Sequence, residues 1–146
     1  IVGSQDSIVS PATNDPMFAG LAGDAQLVSI IGGFHCGFTD STIVACDSGS
    51  ITRAQQLAIV RREATAFLLP ALAGRDDLWC AAWGEAGAGT MREERPTADL
   101  DGDGMVGAGD IGVLLLNFGQ CGRGDLDDSG AVDGGDIALV LLQWSA

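Results

Sequence analysis

Two segments near the C-terminal end of the chain carry aspartates at a spacing suited to metal binding. Residues 99–110 read D-L-D-G-D-G-M-V-G-A-G-D, and residues 125–136 read D-L-D-D-S-G-A-V-D-G-G-D. The segments begin 26 residues apart, and ten of the 21 positions aligned between residues 99–119 and 125–145 are identical. Calcium is a hard cation that takes about six to eight oxygen ligands, and oxygen-bearing side chains recur here at alternate positions. We therefore predict one calcium site in each segment.

The predicted ligands lie at positions 1, 3, 5, 7, 9 and 12 of each segment, as in an EF-hand calcium loop. Those of the first segment are Asp99, Asp101, Asp103, Met105 through its backbone carbonyl, Gly107 through a water molecule, and Asp110. Those of the second segment are Asp125, Asp127, Ser129, Ala131 through its carbonyl, Asp133 and Asp136. Gly104 and Gly130 occupy the sharp turn at position 6, and we expect Val106 and Val132 at position 8 to pair the loops. The alternative is an acidic surface linker, which would need neither the repeat nor the apolar segment after each loop.

A calcium loop followed by one helix, present twice and with Asp at position 12, resembles the dockerin module over residues 99–144. The resemblance implies two calcium sites, two antiparallel helices, and a cohesin-like protein or a cell-surface structure as partner. Dockerins usually recognise their partner through polar residues at loop positions 10 and 11. Those positions hold Ala108-Gly109 and Gly134-Gly135 here, which offer no side-chain hydrogen bonds.

Asp6 and His35, in the first part of the chain, could perform acid–base chemistry. Each follows an apolar stretch that we predict to be a strand, and functional residues of a parallel α/β sheet gather beyond the carboxyl ends of its strands. An aspartate can there hold the tautomer of a histidine that acts as general base. The alternatives are a turn-capping aspartate and a packed or surface histidine. A dyad of His35 with Cys36 is disfavoured, because adjacent side chains point apart in an extended turn.

The sequences G-S-Q-D at residues 3–6 and G-G-F-H at residues 32–35 resemble the acid and histidine turns of an α/β-hydrolase of the dienelactone-hydrolase or lipase-like branch. The resemblance covers residues 1–72 and implies that Asp6 is the triad acid and His35 the triad base. The nucleophile motif G-x-S-x-G occurs nowhere in the chain. We therefore expect the C-terminal piece of a longer secreted serine hydrolase, which needs its missing N-terminal part and is inactive alone.

The alternative function is a non-catalytic, calcium-dependent binding or anchoring module of an extracellular protein, either polysaccharide-degrading or attached to a surface. The net charge of −13 leaves no basic patch for nucleic acid. No apolar run reaches the roughly 18–20 residues of a membrane span. Calcium loops and an even number of cysteines indicate a secreted bacterial protein with disulfides. Four cysteines allow three pairings, of which we prefer Cys36–Cys46 with Cys80–Cys121.

The fold class that follows is an α/β remnant, the end of an α/β-hydrolase sheet with its helices, followed by a small all-α dockerin-like module. The predicted domains are residues 1–74 and 99–146, joined by a linker over residues 75–98. Within the first domain we predict a short helix over 16–21, a buried strand over 27–31, and a helix that begins at a Thr52/Gln55 capping box and ends near residue 72. Arg61, Arg62 and Glu63 are predicted to form the solvated face of that long helix.

Overall fold

The computed structural model describes residues 1–21, 25–40, 44–75, 78–83, 86–95 and 97–145. These residues form two compact units that do not follow the predicted domain boundaries. The first, which we call the sheet unit, comprises Ile1–Thr65 and Ala86–Arg95. The second, the loop–helix unit, comprises Ala66–Glu85 and Pro96–Ala146.

The sheet unit contains three strands and the first part of a long helix. In chain order its elements are β1 (Val2–Gly3), α1 (Asp15–Ala19), β2 (Ala25–Ile30), the start of α2 (Arg53–Ala73) and β3 (Thr90–Arg95). β2 is central: it pairs in parallel with β1, Val2 opposite Ser29, and antiparallel with β3, Ile30 opposite Thr90. The parallel pairing of the first two strands is as predicted, and it brings their carboxyl ends to the same edge of the sheet.

The prediction of a linker over residues 75–98 is wrong for residues 90–95, which form β3, and for residues 79–83, which form helix α3 (Trp79–Trp83). Residues 76–77, 84–85 and 96 of that stretch lie outside the described residues. The sequence T-M-R-E-E-R of β3 lacks the alternation of apolar and polar residues that predicts a half-buried strand. The strand is instead defined by its antiparallel pairing with β2.

Helix α2 begins at the predicted capping box, because Gln55 donates its backbone N–H to Thr52 Oγ1 (3.3 Å) and Gln55 Oε1 accepts from the Thr52 N–H (2.9 Å). The prediction that Glu63 lies on a solvated face is wrong, since Glu63 is only 3% exposed. Its two oxygens pair with Arg62 Nη2 and Arg92 Nη2, each at 2.6 Å. Arg92 belongs to β3, so a buried site for Glu63 could not be foreseen without that strand.

The loop–helix unit contains α3, α4 (Ala108–Leu116) and α5 (Gly134–Leu142), and each of the last two helices directly follows an acidic loop. Its main core consists of apolar residues from both repeats and the segment before them: Ala98, Leu100, Leu114, Val132 and Val140. A second cluster joins Ala66 and Phe67 to the α3 residues Ala82 and Trp83, and the rings of Trp79 and Trp83 stack with centroids 5.5 Å apart.

Both preferred disulfides are confirmed. Cys36–Cys46 lies in the sheet unit, and Cys80–Cys121 joins α3 to the segment after α4 in the loop–helix unit. Disulfides of this kind are typical of extracellular and other oxidising compartments. None of the helices in the described ranges has both the length and the apolarity that a membrane crossing requires.

Candidate functional site

Asp6 and His35 lie in contact at the carboxyl-end edge of the sheet. Asp6 follows β1 and His35 follows β2, and Asp6 Oδ2 is 3.0 Å from His35 Nδ1. The Asp6 side chain is 7% exposed, whereas the His35 side chain is 42% exposed. An ionised carboxylate can only accept, so a neutral His35 donates its Nδ1 proton to Asp6 and keeps an unprotonated Nε2. A histidine in that tautomer can act as a base.

The second oxygen of Asp6 fixes the carboxylate within its own turn. Asp6 Oδ1 accepts the backbone N–H groups of Ile8 (2.9 Å) and Val9 (2.7 Å). Asp6 therefore combines two roles that the sequence leaves as alternatives: it caps its own turn and it is the partner of His35. This double use leaves the Asp6 carboxylate little freedom to rotate away from His35.

Gln56, a fully buried residue of α2, holds the turn that carries His35. Its Oε1 accepts the Phe34 N–H (3.0 Å), and its Nε2 donates to the Phe34 carbonyl (2.9 Å). The approach is so close that a Cβ atom on Gly37 would overlap the Gln56 side chain. The sequence gives little signal of this role, because a glutamine inside an apolar helix stripe has no distinctive spacing.

Asp47, in the loop between β2 and α2, also holds the turn that carries His35. Its Oδ2 accepts from the N–H groups of His35 (2.9 Å) and Ser7 (3.2 Å), and its Oδ1 accepts from the Cys36 N–H (3.0 Å). Burial pushes the pKa of the Asp47 carboxyl up, but these hydrogen bonds and the nearby His35 outweigh it and keep that pKa below its ordinary value. The signal that could have found Asp47 is its position next to Cys46, the preferred partner of Cys36.

The disulfide between Cys36 and Cys46 removes the thiol from the site. A dyad of His35 with Cys36, already disfavoured by sequence, is therefore excluded for the oxidised protein.

The acidic loops each gather three carboxylates. Oxygens of Asp99, Asp101 and Asp103 lie within 4.8 Å of one another, as do those of Asp125, Asp127 and Asp136. Position 6 of both loops has a positive φ, at Gly104 (88°) and Gly130 (92°), as the sharp turn requires. Crowded carboxylates are the donor set that a hard divalent cation prefers, so the residues present fit calcium.

The position-12 aspartates, Asp110 and Asp136, are almost completely buried and fasten the two ends of their loops together. Asp110 accepts from the N–H groups of Leu100 and Gly107, both at 2.6 Å. Asp136 accepts from those of Leu126 (2.6 Å) and Asp133 (2.7 Å). Burial pushes the pKa of Asp110 up, but its backbone hydrogen bonds outweigh burial and lower that pKa.

The second loop carries a concentration of negative charge that its own hydrogen bonds do not offset. Burial, together with repulsion from Asp136 and Asp127, raises the pKa of Asp125, although the N–H groups of Gly130 and Ser129 oppose the shift. A bound cation would relieve the repulsion that raises the pKa of Asp125.

The other predicted ligands of the two loops differ in their contacts. The Ser129 hydroxyl donates to the Ala131 carbonyl (3.1 Å), so positions 5 and 7 of the second loop are adjacent. Asp133 caps α5, because its Oδ1 accepts the Gly135 N–H at 2.7 Å. Neither Asp133 nor Asp110 belongs to the three-carboxylate groups, and Met105 could contribute only its carbonyl.

Glycine at position 11 of each loop has a steric cause. A Cβ atom on Gly109 would overlap Asp101 Oδ2, and one on Gly135 would come within 2.8 Å of Asp127 Oδ2. The position-3 carboxylate thus folds against the start of the following helix, and any side chain at position 11 would displace it. A polar recognition residue at position 11 would therefore need the position-3 carboxylate in another orientation.

The position-8 valines join the two repeats, but in a different way from the predicted direct pairing. Val106 accepts from the Ser145 N–H (3.0 Å) and Val132 accepts from the Gly119 N–H (2.8 Å). Because residues 119 and 145 are equivalent in the repeat, each loop is tied to the chain that follows the other repeat's helix. The two hydrogen bonds occupy equivalent positions in the repeats and join the two loops into one structural module.

Comparison with known proteins finds no match: no protein-family model, no curated protein and no solved structure is significantly similar to this chain.

Proposed function

We propose that this chain is the C-terminal part of a secreted serine hydrolase that acts on esters, with a calcium-binding dockerin-like tail. The observation that carries the proposal is the 3.0 Å contact between Asp6 and His35. Two turns that follow adjacent parallel strands meet there, with the acid buried and the imidazole accessible. That is the arrangement in which the acid and base of an α/β-hydrolase work.

In the proposed mechanism, His35 takes the hydroxyl proton of a serine as its oxygen attacks the ester carbonyl. Asp6 stabilises the imidazolium that forms, and His35 then returns the proton to the leaving alcohol. Water attacks the acyl-serine in the second half of the reaction, again with His35 as base. Since the chain lacks a G-x-S-x-G motif, the proposal assigns the nucleophile to a part of the protein outside this sequence.

Labelling of the full-length protein by a fluorophosphonate tests this proposal, because the probe captures only a serine that a neighbouring base activates. We expect rapid labelling of the wild-type protein and a loss of labelling rate of at least about a hundredfold in His35→Ala, the range typical of general-base catalysis. Asp15→Asn is the control, since Asp15 is an exposed aspartate of α1. Equal labelling of wild type and His35→Ala would refute the assignment of His35.

The calcium-binding part of the proposal is supported by the two carboxylate groups and by their duplication. Bound calcium would supply positive charge to a segment, residues 99–146, whose nine acids and one arginine give it a net charge of −8. Two ions would offset half of that charge. The residues that would hold them are the three clustered carboxylates of each loop, which in the second loop include the position-12 Asp136. Asp110, at position 12 of the first loop, keeps the backbone of that loop in place.

One observation favours the alternative, a non-catalytic binding or anchoring module. The repeats expose matching apolar side chains: Leu115 (55%) with Leu141 (56%), Leu116 (82%) with Leu142 (82%), and Phe118 (49%) with Trp144 (43%). Such a surface suits a protein partner. If the full-length protein were not labelled by the phosphonate but bound a cohesin domain only in the presence of calcium, this alternative would replace the hydrolase.

A further inference from the structure

The carboxylate of Asp47 contacts the main chain beside both members of the Asp6–His35 pair. Ser7 directly follows Asp6, and its N–H donates to Asp47 Oδ2, which also accepts the N–H of His35 itself. The remaining oxygen accepts the N–H of Cys36. One anion thus joins the turn after β1 to the turn after β2.

The segment that carries Asp47 is anchored on both sides of it. The disulfide Cys36–Cys46 fixes the preceding residue, and Ser50 donates its backbone N–H to Gln5 Oε1 (2.9 Å). A Cβ atom on Gly49 would overlap the Gly32 carbonyl, so this segment lies tightly against the end of β2. Asp47 is therefore a fixed anchor, from which the two turns take their separation.

We propose that Asp47 is a positioning residue, which sets the distance between Asp6 and His35 so that the Nδ1 proton of His35 stays on Asp6. The inference rests on the proposed function, since it gives Asp47 a role in orienting the general base. Without the Asp47 carboxylate, three backbone N–H groups lose their acceptor. The turns remain joined nearer the strand ends, through the Gln5 N–H to the Gly33 carbonyl (2.8 Å) and the Gly32 N–H to Ser4 Oγ (2.9 Å), so the change is local to Ser7, His35 and Cys36. Asp6 remains held by Ile8 and Val9, and Gln56 still holds Phe34, but the N–H groups of His35 and Cys36 lose their acceptor, so a shift within the pair comes from His35.

The test uses the fact that His35 is the only histidine of the chain. In the 146-residue chain labelled with ¹⁵N-histidine, NMR should show one hydrogen-bonded Nδ1–H in the wild type. In Asp47→Ala we expect that proton to exchange with water about tenfold faster or to disappear, as for loss of one hydrogen bond. In a second, uniformly ¹⁵N-labelled sample of the variant, the backbone amide signals of Val28 and Ile30 in β2 should remain dispersed. Asp40→Ala, an exposed aspartate between the two cysteines, is the matched control and should behave as wild type.

The outcomes separate the two proposals. If the wild type lacks the Nδ1–H signal, the Asp6–His35 pair and the proposed function fail regardless of Asp47. If the wild type has it and Asp47→Ala retains it unchanged, the inference about Asp47 is wrong and the proposed function stands.

If Asp47→Ala unfolds, the nearly isosteric Asp47→Asn decides: faster Nδ1–H exchange in a folded β2 supports positioning, whereas unfolding or unchanged exchange overturns it. In the full-length enzyme, the same variant should lower kcat about tenfold at unchanged KM, because ester binding does not involve Asp47.

Discussion

Asp6 divides its carboxylate between two tasks, and this division sets how the site responds to substitution. One oxygen holds the turn through Ile8 and Val9, and the other meets His35. Asparagine in its place could keep the turn through its carbonyl oxygen. Its NH₂ group would then face His35 Nδ1 and donate to it, so that the imidazole would carry its proton on Nε2 and could no longer act as base.

We therefore predict that Asp6→Asn lowers kcat for ester hydrolysis by the full-length protein by roughly four orders of magnitude, as the equivalent change does in a serine protease. Stability should change little, because the turn contacts survive. Steady-state kinetics and a thermal melt measure the two effects. An Asp6→Asn enzyme with kcat close to that of Asp15→Asn would mean that Asp6 does not set the tautomer.

Glu63 is the buried carboxylate of the sheet unit whose loss should be costly. Burial pushes the pKa of Glu63 up, but its contacts with Arg92 and Arg62 outweigh burial and lower that pKa. Since the folded-state pKa lies below the unfolded value of about 4.3, the stabilisation is complete above that pH. It is lost as the pH falls through the lower, folded-state pKa.

We predict that Glu63→Gln destabilises the chain by about 3 kcal/mol at pH 7, since it removes the carboxylate charge that Glu63 presents to the buried Arg92 guanidinium. The variant should also lose less stability than wild type on acidification below about pH 4. Urea unfolding at several pH values measures both, and Glu93→Gln, an exposed change on the same strand, is the control. If the free energy of unfolding had the same pH dependence in wild type and Glu63→Gln, Glu63 would not be the ionised partner of Arg92.

At the scale of residues, the sequence predicts side chains that act through their own type and place, such as Asp6 and His35 at strand ends. It misses residues whose role depends on a distant partner. Asp47 lies in what reads as a polar loop, and Glu63 reads as a surface residue because β3 has a charged sequence. For Asp47 the one signal is its position next to Cys46, and for Glu63 no local pattern contains the information, since its contact with Arg92 forms only when the chain folds.

Among the elements, the two acidic loops with their helices follow closely from the sequence, because the repeat fixes both the loop positions and the apolar segments after them. The cross-connection between repeats does not follow. Each valine at position 8 accepts a hydrogen bond from a residue three positions beyond the end of the other repeat's helix, and these bonds depend on how α4 and α5 bring their ends to the loops. The spacing of the ligands can be seen within each loop sequence, whereas the pairing of the loops depends on residues distant in the sequence.

Glycine at position 11 provides a test of the loop conformation. We predict that Gly109→Ala weakens calcium binding at the first loop by about tenfold or more, because the new methyl group displaces Asp101 and costs at least one carboxylate contact. Isothermal calorimetry of the chain measures the affinity.

Gly112→Ala in the same helix is the matched control, since a Cβ atom there meets nothing within 4 Å. The control should keep wild-type affinity and gain helix stability. Equal affinities for the two variants would show that Asp101 does not lie against position 11 in the calcium-bound state.

For the molecule as a whole, charge is the dominant property. The chain carries −13, of which −8 belongs to residues 99–146, and the carboxylates of the loops crowd together. Self-repulsion of this size destabilises a compact state, so the loop–helix unit should depend on calcium for its stability. Its three tryptophans, Trp79, Trp83 and Trp144, make its unfolding visible by fluorescence.

We predict two calcium ions per chain, and stabilisation of the loop–helix unit by about 2.7 kcal/mol for each site at a calcium concentration one hundred times Kd. Calorimetry gives the stoichiometry, and tryptophan-detected urea unfolding with calcium or with chelator gives the stability. Asp101→Ala should reduce the stoichiometry to one. Absence of binding at millimolar calcium would rule out the loops as calcium sites.

The most direct measurement of the roles of Asp6 and His35 is the hydrolysis of a short-chain ester by the full-length protein with and without His35. If Asp6 and His35 are the acid and base of a serine hydrolase, His35→Ala should lower kcat by at least about a thousandfold while calcium binding by the tail is unchanged. An ester hydrolysis rate that remains within about tenfold of wild type in His35→Ala would show that His35 is not the general base.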